Sequence, residues 1–348
     1  MAITEEKVLD ALRSVMDPDL NRDVVSLGFI KEIKIDGGKV SFKLELTTPA
    51  CPLKAQLKAA SEEAVKGISG VSGVDVDVTS RVTTHRVEEK GNILPGVKNI
   101  VAISSGKGGV GKSTVSVNLA VALAKTGARV GLLDTDIYGP SIPIMMGVTD
   151  KPEIRGQKMV PIEKYGVHLM SIGFLIPEEQ AIIWRGPLVM KAVEQLLTDV
   201  EWGELDYLLI DLPPGTGDVQ LTLVQKVPLS GAVIVTTPQD VALLDVVRGI
   251  NMFKKVNVPI LGIVENMSFF QCPHCGERTD IFSHGGGAAA AEKQDVPFLG
   301  ELPIDPKIRA GGDSGTPIVV EDLKSPQSKI FMEIAGRLAA KISSLDKC

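Results

Sequence analysis

Gly106-Lys107-Gly108-Gly109-Val110-Gly111-Lys112-Ser113 is the stretch on which the fold of this chain turns. It has the spacing G-x-x-x-x-G-K-[ST], follows directly on the apolar run Ile100-Val101-Ala102-Ile103, and opens the apolar helical stretch Val115 to Ala124. Strand, glycine-rich turn and helix in that order aim the turn's backbone N–H groups and the helix N-terminus at one point, which is a site for phosphate. Residues Gly106 to Thr114 form the cradle. Lys112 is placed to neutralise the β and γ phosphates, and the Ser113 hydroxyl to coordinate Mg²⁺.

Working outward, further short apolar runs lie at Val130 to Leu133, Tyr207 to Ile210, Ala232 to Val235 and Ile260 to Val264, mostly separated by helical stretches. Runs apolar on both faces and spaced by helices require a parallel sheet covered on both sides, so the fold class is α/β. Acidic residues follow two of these runs, at Asp134-Thr135-Asp136 and at Asp211-Leu212-Pro213-Pro214-Gly215-Thr216-Gly217-Asp218. Carboxylates at the C-terminal ends of parallel strands face the same crevice as the phosphates. Asp211 suits holding Mg²⁺ through water, Asp136 suits orienting an attacking water, and the Gly215 N–H can report the γ-phosphate. A guanine-reading N-K-x-D would need an aspartate three residues after Asn266, where Phe269 stands, so adenine is preferred. Asn266 and Asp305 are the candidate base contacts, with a plain turn role as the other reading of each. Lys107, a second lysine inside the loop, fits the deviant form of the phosphate loop, in which such a residue reaches across a dimer interface to the partner's phosphates; a solvated loop lysine is the other reading.

The chain has 348 residues, 44% of them hydrophobic, with a net charge of -6 and 4% aromatics. Neither a basic groove nor a row of stacking rings is available, which argues against nucleic acid. No apolar run approaches the roughly 18 to 20 residues of a membrane span. The acidic start, Met1 to Lys7, does not read as a targeting signal, so the expected compartment is the cytoplasm. Residues 1–80 read as a small α/β domain: a helix over 5–16, a hairpin around Asp36-Gly37-Gly38, a helix from Cys51-Pro52, and a strand at 74–78. Residues 81–97 are polar and aperiodic and form the expected linker; 98–348 are the nucleotide domain.

Four cysteines stand at 51, 272, 275 and 348. Cys272-Pro273-His274-Cys275-Gly276 aims two thiols at one point, and two ligands are half a site. The spacing leaves three readings open: a cluster bridging two chains, zinc completed by His284 or by a partner's cysteines, and a redox or unliganded turn. A two-fold dimer supplies the missing pair, because an isologous interface joins the same patch from each subunit.

Gly106 to Thr114 as G-K-G-G-V-G-K-S-T, Asp134 to Ser141 as D-T-D-I-Y-G-P-S, Asp211 to Asp218 as D-L-P-P-G-T-G-D, and C-P-H-C at 272–275 together resemble the Mrp/ApbC/Nbp35 family of iron–sulfur cluster carrier ATPases. The resemblance covers about residues 95–340. Residues 1–80, with Asp17-Pro18-Asp19-Leu20 and Thr47 to Pro52, look like the MIP18-like domain that bacterial and plastid members carry in front. The resemblance implies a MinD/ParA-like P-loop NTPase fold and a homodimeric ATPase that takes ATP and Mg²⁺. It also implies a [4Fe-4S] cluster held between subunits through Cys272 and Cys275, received from an assembly scaffold and passed to apo-proteins, with no stable membrane association. No N-terminal four-cysteine motif is present, so a second permanent cluster is not implied. The competing classes are a MinD/ParA-like spatial organiser with zinc at the cysteines and a metal-free ligase of the dethiobiotin-synthetase type. The first would need a surface-binding element, for which the only candidate is the C-terminal stripe Ile330, Phe331, Ile334, Leu338, Ile342 and Leu345.

Overall fold

The computed structural model describes residues 3–18, 20, 22–85, 93–137, 139–175 and 186–345. Tyr138, Cys348 and residues 86–92 of the expected linker lie outside them. The chain divides into two compact units, one of residues 1–83 with 339–348 and one of 84–338.

In the first unit, helix α1 (Glu5–Leu12) starts at Thr4, whose hydroxyl accepts the Lys7 N–H, and carries Glu5 and Glu6 in its first turn. An N-cap hydroxyl and early acidic residues both suit the positive end of a helix. A short ribbon, β1 (Met16–Asp17) with β2 (Arg22–Asp23), follows and was not anticipated from the sequence. The expected hairpin is β3 (Ile30–Asp36) against β4 (Lys39–Leu46), with Gly37 at φ +57° in its turn. Helix α2 (Lys54–Lys66) then returns the chain to β5 (Gly73–Ser80), parallel to β4. Strand β4 alternates, sending Val40, Phe42, Leu44 and Leu46 into a core shared with Val8, Leu12, Leu57 and Val65. Each such side chain, fully buried, contributes roughly 1.5–3 kcal/mol.

The second unit opens with β6 (Val97–Ser104), α3 (Lys112–Lys125), β7 (Val130–Asp134) and the short α4 (Ile142–Met145). An excursion of β8 (Ile154–Arg155), β9 (Lys158–Met159) and β10 (Ile162–Lys164) leads to β11 (Val167–Ser171) and α5 (Gly186–Thr198). The chain continues through β12 (Leu205–Asp211), α6 (Asp218–Lys226), β13 (Gly231–Thr236), α7 (Asp240–Lys255) and β14 (Ile260–Glu265). A ribbon, β15 (Phe270–Gln271) with β16 (Arg278–Thr279), precedes α8 (Gly286–Gln294), β17 (Phe298–Glu301), α9 (Pro306–Ser314), α10 (Ile318–Glu321) and α11 (Pro326–Ser343), whose residues from 339 on belong to the first unit.

The main sheet has eight strands in the order β10-β11-β7-β12-β6-β13-β14-β17. All pair in parallel except β10, which lies antiparallel on β11. The five apolar runs read from the sequence are the central strands; β10, β11 and β17 at the two sides are additional. Strands β7, β12, β13 and β14 are buried along their whole length, as a sheet covered on both faces requires. Because these strands run in one direction, the loops after β6, β7, β12, β13 and β14 all emerge at one edge, where the crevice of an open parallel sheet lies.

Candidate functional site

The phosphate loop runs from the end of β6 to the start of α3. Gly109 and Gly111 both sit at φ +81°, a conformation that costs a side chain dearly, and a Cβ on Gly111 would fall 2.2 Å from Asn266 Nδ2. Gly106 is equally confined, since a Cβ there would meet Asp245 at 2.3 Å. Helix α3 starts at Lys112 behind Gly111 with no side chain capping it, which leaves its first N–H groups directed into the crevice.

Lys112 and Ser113 converge on Asp211. The Lys112 ammonium is 2.6 Å from Asp211 Oδ2, and the Ser113 hydroxyl donates to the same oxygen at 2.7 Å. Ser116, one turn along α3, donates to Asp211 Oδ1 at 2.6 Å, and Thr135 donates its hydroxyl to the Asp211 carbonyl at 2.7 Å. Asp136 approaches the Lys112 ammonium at 3.8 Å. Around the buried Lys112, Ser116 and Asp211, the half-buried Ser113 and Asp136 complete an oxygen-rich set of the kind Mg²⁺ takes beside phosphates.

Asp134 is opposite Asp211 in the β7–β12 pairing and is fully buried. Burial, and then the neighbouring Asp211 charge, push its carboxyl up to about 7. Its oxygens accept the N–H groups of Asp136 and Ile142 and the Ser171 hydroxyl, so Asp134 shapes the loop that carries Asp136. In the sequence Asp134 stands out only as part of the Asp134-Thr135-Asp136 motif, and Ser116 is a missed member of the site whose one signal is a serine at helical spacing after the loop lysine on an otherwise apolar helix.

The remaining nucleotide candidates are placed as follows. Lys107 is half-buried, with its ammonium 3.4 Å from Gln239 Oε1 at the start of α7. The Gly215 N–H donates to the Ser105 carbonyl at 2.9 Å, across the base of the loop. Asn266 is buried and donates its amide Nδ2 to the Val110 carbonyl at 2.9 Å, fastening the end of β14 to the loop. Asp305 is the N-cap of α9, accepting the Lys307 N–H at 2.7 Å and the Gln327 amide at 2.5 Å.

Cys272 and Cys275 occupy the turn of the β15–β16 ribbon. The turn is closed by the Cys272 N–H donating to the Glu277 carbonyl and the Gly276 N–H to the Cys272 carbonyl, both at 2.9 Å, with Gly276 at φ +74°. Cys275 is exposed and Cys272 half-exposed. The N–H groups of Cys275 and His274, and the Cys275 thiol, hold the Cys272 thiol below its usual range, which favours the thiolate that binds metals. Cys51 belongs to the first unit, where it packs at the edge of the core. His284 lies beside Arg278, Glu301 and Ser268, and its ring nitrogens can reach within 4.8 Å of the Glu265 and Glu301 carboxylates. The Arg278 guanidinium approaches the His284 ring at 2.6 Å and Glu301 at 3.3 Å.

Residues 96–339 match the model of the NUBPL iron-transfer P-loop NTPases, and residues 5–78 match that of an iron–sulfur cluster assembly protein. The chain belongs to the NUBPL iron-transfer P-loop NTPase family. An iron–sulfur cluster carrier protein of Synechocystis is 50% identical over 98% of both chains. A protein of the same description from Deinococcus radiodurans is 48% identical over 97% of this chain and 95% of its own. Among solved structures, a nucleotide-binding protein of Archaeoglobus fulgidus in complex with ADP is 41% identical, covers 70% of this chain and 95% of its own, and superposes with a TM-score of 0.61. The cell division ATPase MinD of Pyrococcus furiosus is 26% identical over 69% of this chain and 97% of its own, with a TM-score of 0.52. The MinD/ParA-like parallel sheet expected from the loop, and the iron–sulfur assembly domain in front of it, are both present in this family member.

In the C-terminal stripe named above as a candidate surface-binding element, Ile330 and Leu345 are half-buried. Phe331, Ile334, Leu338 and Ile342 of α11 are buried, and Arg337 donates to the Leu299 carbonyl at 2.9 Å. Among the described residues no helix is long and apolar enough to cross a membrane.

Proposed function

We propose that this protein is an ATP-binding and ATP-hydrolysing carrier that receives a [4Fe-4S] cluster between two copies of the chain, through Cys272 and Cys275 of each, and transfers it to apo-proteins in the cytoplasm. The observation that carries the reading is the thiol pair in the turn of a tight ribbon, Cys275 exposed and Cys272 half-exposed. It offers two ligands where a cubane cluster takes four, and a second copy related by two-fold symmetry supplies the rest. Family membership and the carrier names of its full-length relatives support iron–sulfur transfer as the task.

On this reading Lys112 and the loop N–H groups bind the phosphates, while Ser113 and Asp211 hold Mg²⁺, which neutralises charge developing on the phosphoryl oxygens. Asp136 orients the attacking water. The Gly215 N–H exchanges the Ser105 carbonyl for the γ-phosphate, and Lys107 exchanges Gln239 for the phosphates of the facing subunit. Asn266 has committed one of its two amide hydrogens to Val110, and its carbonyl oxygen would accept from the exocyclic amine of adenine, a donor that guanine lacks at that position.

A dimer face is supported by the apolar groove between α7 and α8, lined by Val241, Leu243, Leu244, Val247 and Ala290. Val241 and Leu244 are 67% and 66% exposed, although α7 also carries Asp245 against Gly106 of the loop. Apolar surface of this kind beside a functional loop suits a partner better than water.

Anaerobic reconstitution with iron and sulfide, followed by absorption spectroscopy, iron counting and mass measurement in solution, tests the proposal. One cluster per two chains, passed on to an apo-ferredoxin-type acceptor, is expected. Iron-free protein, or a cluster retained by a monomer, would overturn it.

A further inference from the structure

We infer that Arg278 and Glu301 are positioning residues that tie the thiol ribbon to the phosphate loop within a single chain, so that nucleotide bound at the loop changes the accessibility of Cys272 and Cys275. The inference rests on the nucleotide and thiol roles proposed above and adds the residues that join them.

The stretch from Glu265 to Cys272 connects the two sites directly. Its first part is anchored to the loop, because Asn266 holds the Val110 carbonyl and lies against Gly111. Glu265 carries a carboxylate with no exposure at all, and such a charge needs several donors. It receives the Ser268 hydroxyl at 2.5 Å, the Gly285 N–H at 3.2 Å and the Gly287 N–H, the last two at the N-terminus of α8, whose dipole favours the negative charge. Glycine at 287 permits this close approach, since a Cβ there would crowd the Glu265 carboxylate at 2.9 Å.

Ser268 passes the connection on. Its hydroxyl is 3.0 Å from Glu301 Oε2, and its N–H donates to the Leu302 carbonyl at 2.9 Å. Glu301 in turn accepts from Arg278 Nη1 at 3.3 Å through its other oxygen. Arg278 is the first residue of β16, three positions beyond Cys275, and lies over the Phe269 ring at 4.1 Å while bonding Asp280 and His284. Both strands of the ribbon are therefore gripped at their roots: β15 through Phe269, whose carbonyl accepts the Ile304 N–H at 2.7 Å, and β16 through Arg278. A shift of the Val110 carbonyl moves Asn266. It reaches the thiols as a movement of the whole ribbon only while Arg278 and Glu301 hold β16 to the same frame. Arginine alone combines a flat stacking surface with forked donors, which is why this position suits it.

The test uses the full-length apo protein under reducing conditions. The alkylation rates of Cys272 and Cys275 by iodoacetamide are read by peptide mass spectrometry with and without Mg-ATP, and nucleotide affinity is measured by calorimetry. In the wild type the two rates should differ by roughly fivefold or more, the lower end of ordinary coupling between sites. In Arg278→Gln and in Glu301→Gln nucleotide should bind as before, while the ratio of the two rates falls to within about twofold of one. A merely structural role would change both rates together and leave their ratio intact, and that result would overturn the inference. So would a wild-type ratio of one with nucleotide bound, which leaves the separate roles of loop and thiols standing. A wild type that binds no nucleotide would overturn the reading beneath it as well.

Discussion

Asp134 and Asp211 stand directly opposite each other at the ends of β7 and β12, both without exposure to solvent, and only Asp211 has the Lys112 ammonium in contact, at 2.6 Å. Two adjacent buried carboxylates cannot both ionise cheaply, and the one without the lysine is the one held protonated toward neutral pH.

That relationship sets a pH dependence. The Asp134 carboxyl is raised from 3.8 to about 7, so its folded form binds a proton that the unfolded chain has already released. Its contribution to stability is fully present below about pH 4 and is lost as pH rises through about 7. Thermal unfolding of the wild type should therefore fall more steeply from pH 5 to pH 8 than that of Asp134→Asn, which carries no such proton. Parallel curves for the two proteins would remove this assignment.

The two loop lysines should separate. Lys112→Ala removes the charge at the centre of the cluster and should lower ATP turnover by about 100-fold or more, on the scale of losing one preorganised donor. Lys107→Ala should spare nucleotide affinity and reduce turnover, because its proposed target lies on the facing subunit. Calorimetry beside a phosphate-release assay reads both; equal losses of affinity would argue against a role in the partner's site.

For the thiols, Cys272→Ala or Cys275→Ala should abolish the brown chromophore on reconstitution and leave ADP affinity unchanged within about twofold, since neither side chain belongs to the phosphate loop. Cys51→Ala should retain the chromophore. Absorbance near 400 nm after desalting is the readout, and a coloured Cys272/Cys275 double variant would refute the assignment.

Gly111→Ala should be costly in two ways. The residue sits at φ +81° and its Cβ would overlap Asn266 Nδ2, so about 1–3 kcal/mol of stability is expected to be lost to strain and displacement. The displaced amide would also release Val110, and ADP binding should weaken with it. Chemical denaturation and ADP titration on the same preparation check the pair of effects.

The C-terminal helix offers a test of the competing class. Phe331 is 1% exposed, so Phe331→Ala should destabilise the fold by about 3–5 kcal/mol. A helix lying on a lipid surface would instead give a variant of normal stability that no longer sediments with liposomes in the presence of ATP.

Much of this molecule was legible in one dimension. The loop from Gly106 to Ser113 needs only local backbone geometry and a following helix, so its sequence determines its shape, and continuous apolar runs such as Leu205 to Ile210 announce a sheet buried on both faces. The spacing of Cys272 and Cys275 announces a tight turn carrying two thiols, whereas the β15–β16 ribbon that presents it is seen only in the structure. Edge strands were harder to read. Strands β10 and β11 are short and mixed in character, and β17 carries Gly300 at its centre, so their pairing depends on neighbours far away in the chain. What only the tertiary structure decided is which polar groups meet. That Asn266 serves the Val110 carbonyl, that Asp134 loses the lysine to Asp211, and that Glu301 joins Ser268 to Arg278 all follow from strands brought side by side by the burial of their apolar faces. The hydrophobic effect that assembles the sheet is encoded residue by residue, whereas a hydrogen bond between groups 156 positions apart, as from Asn266 to Val110, exists only once that assembly has fixed their distance.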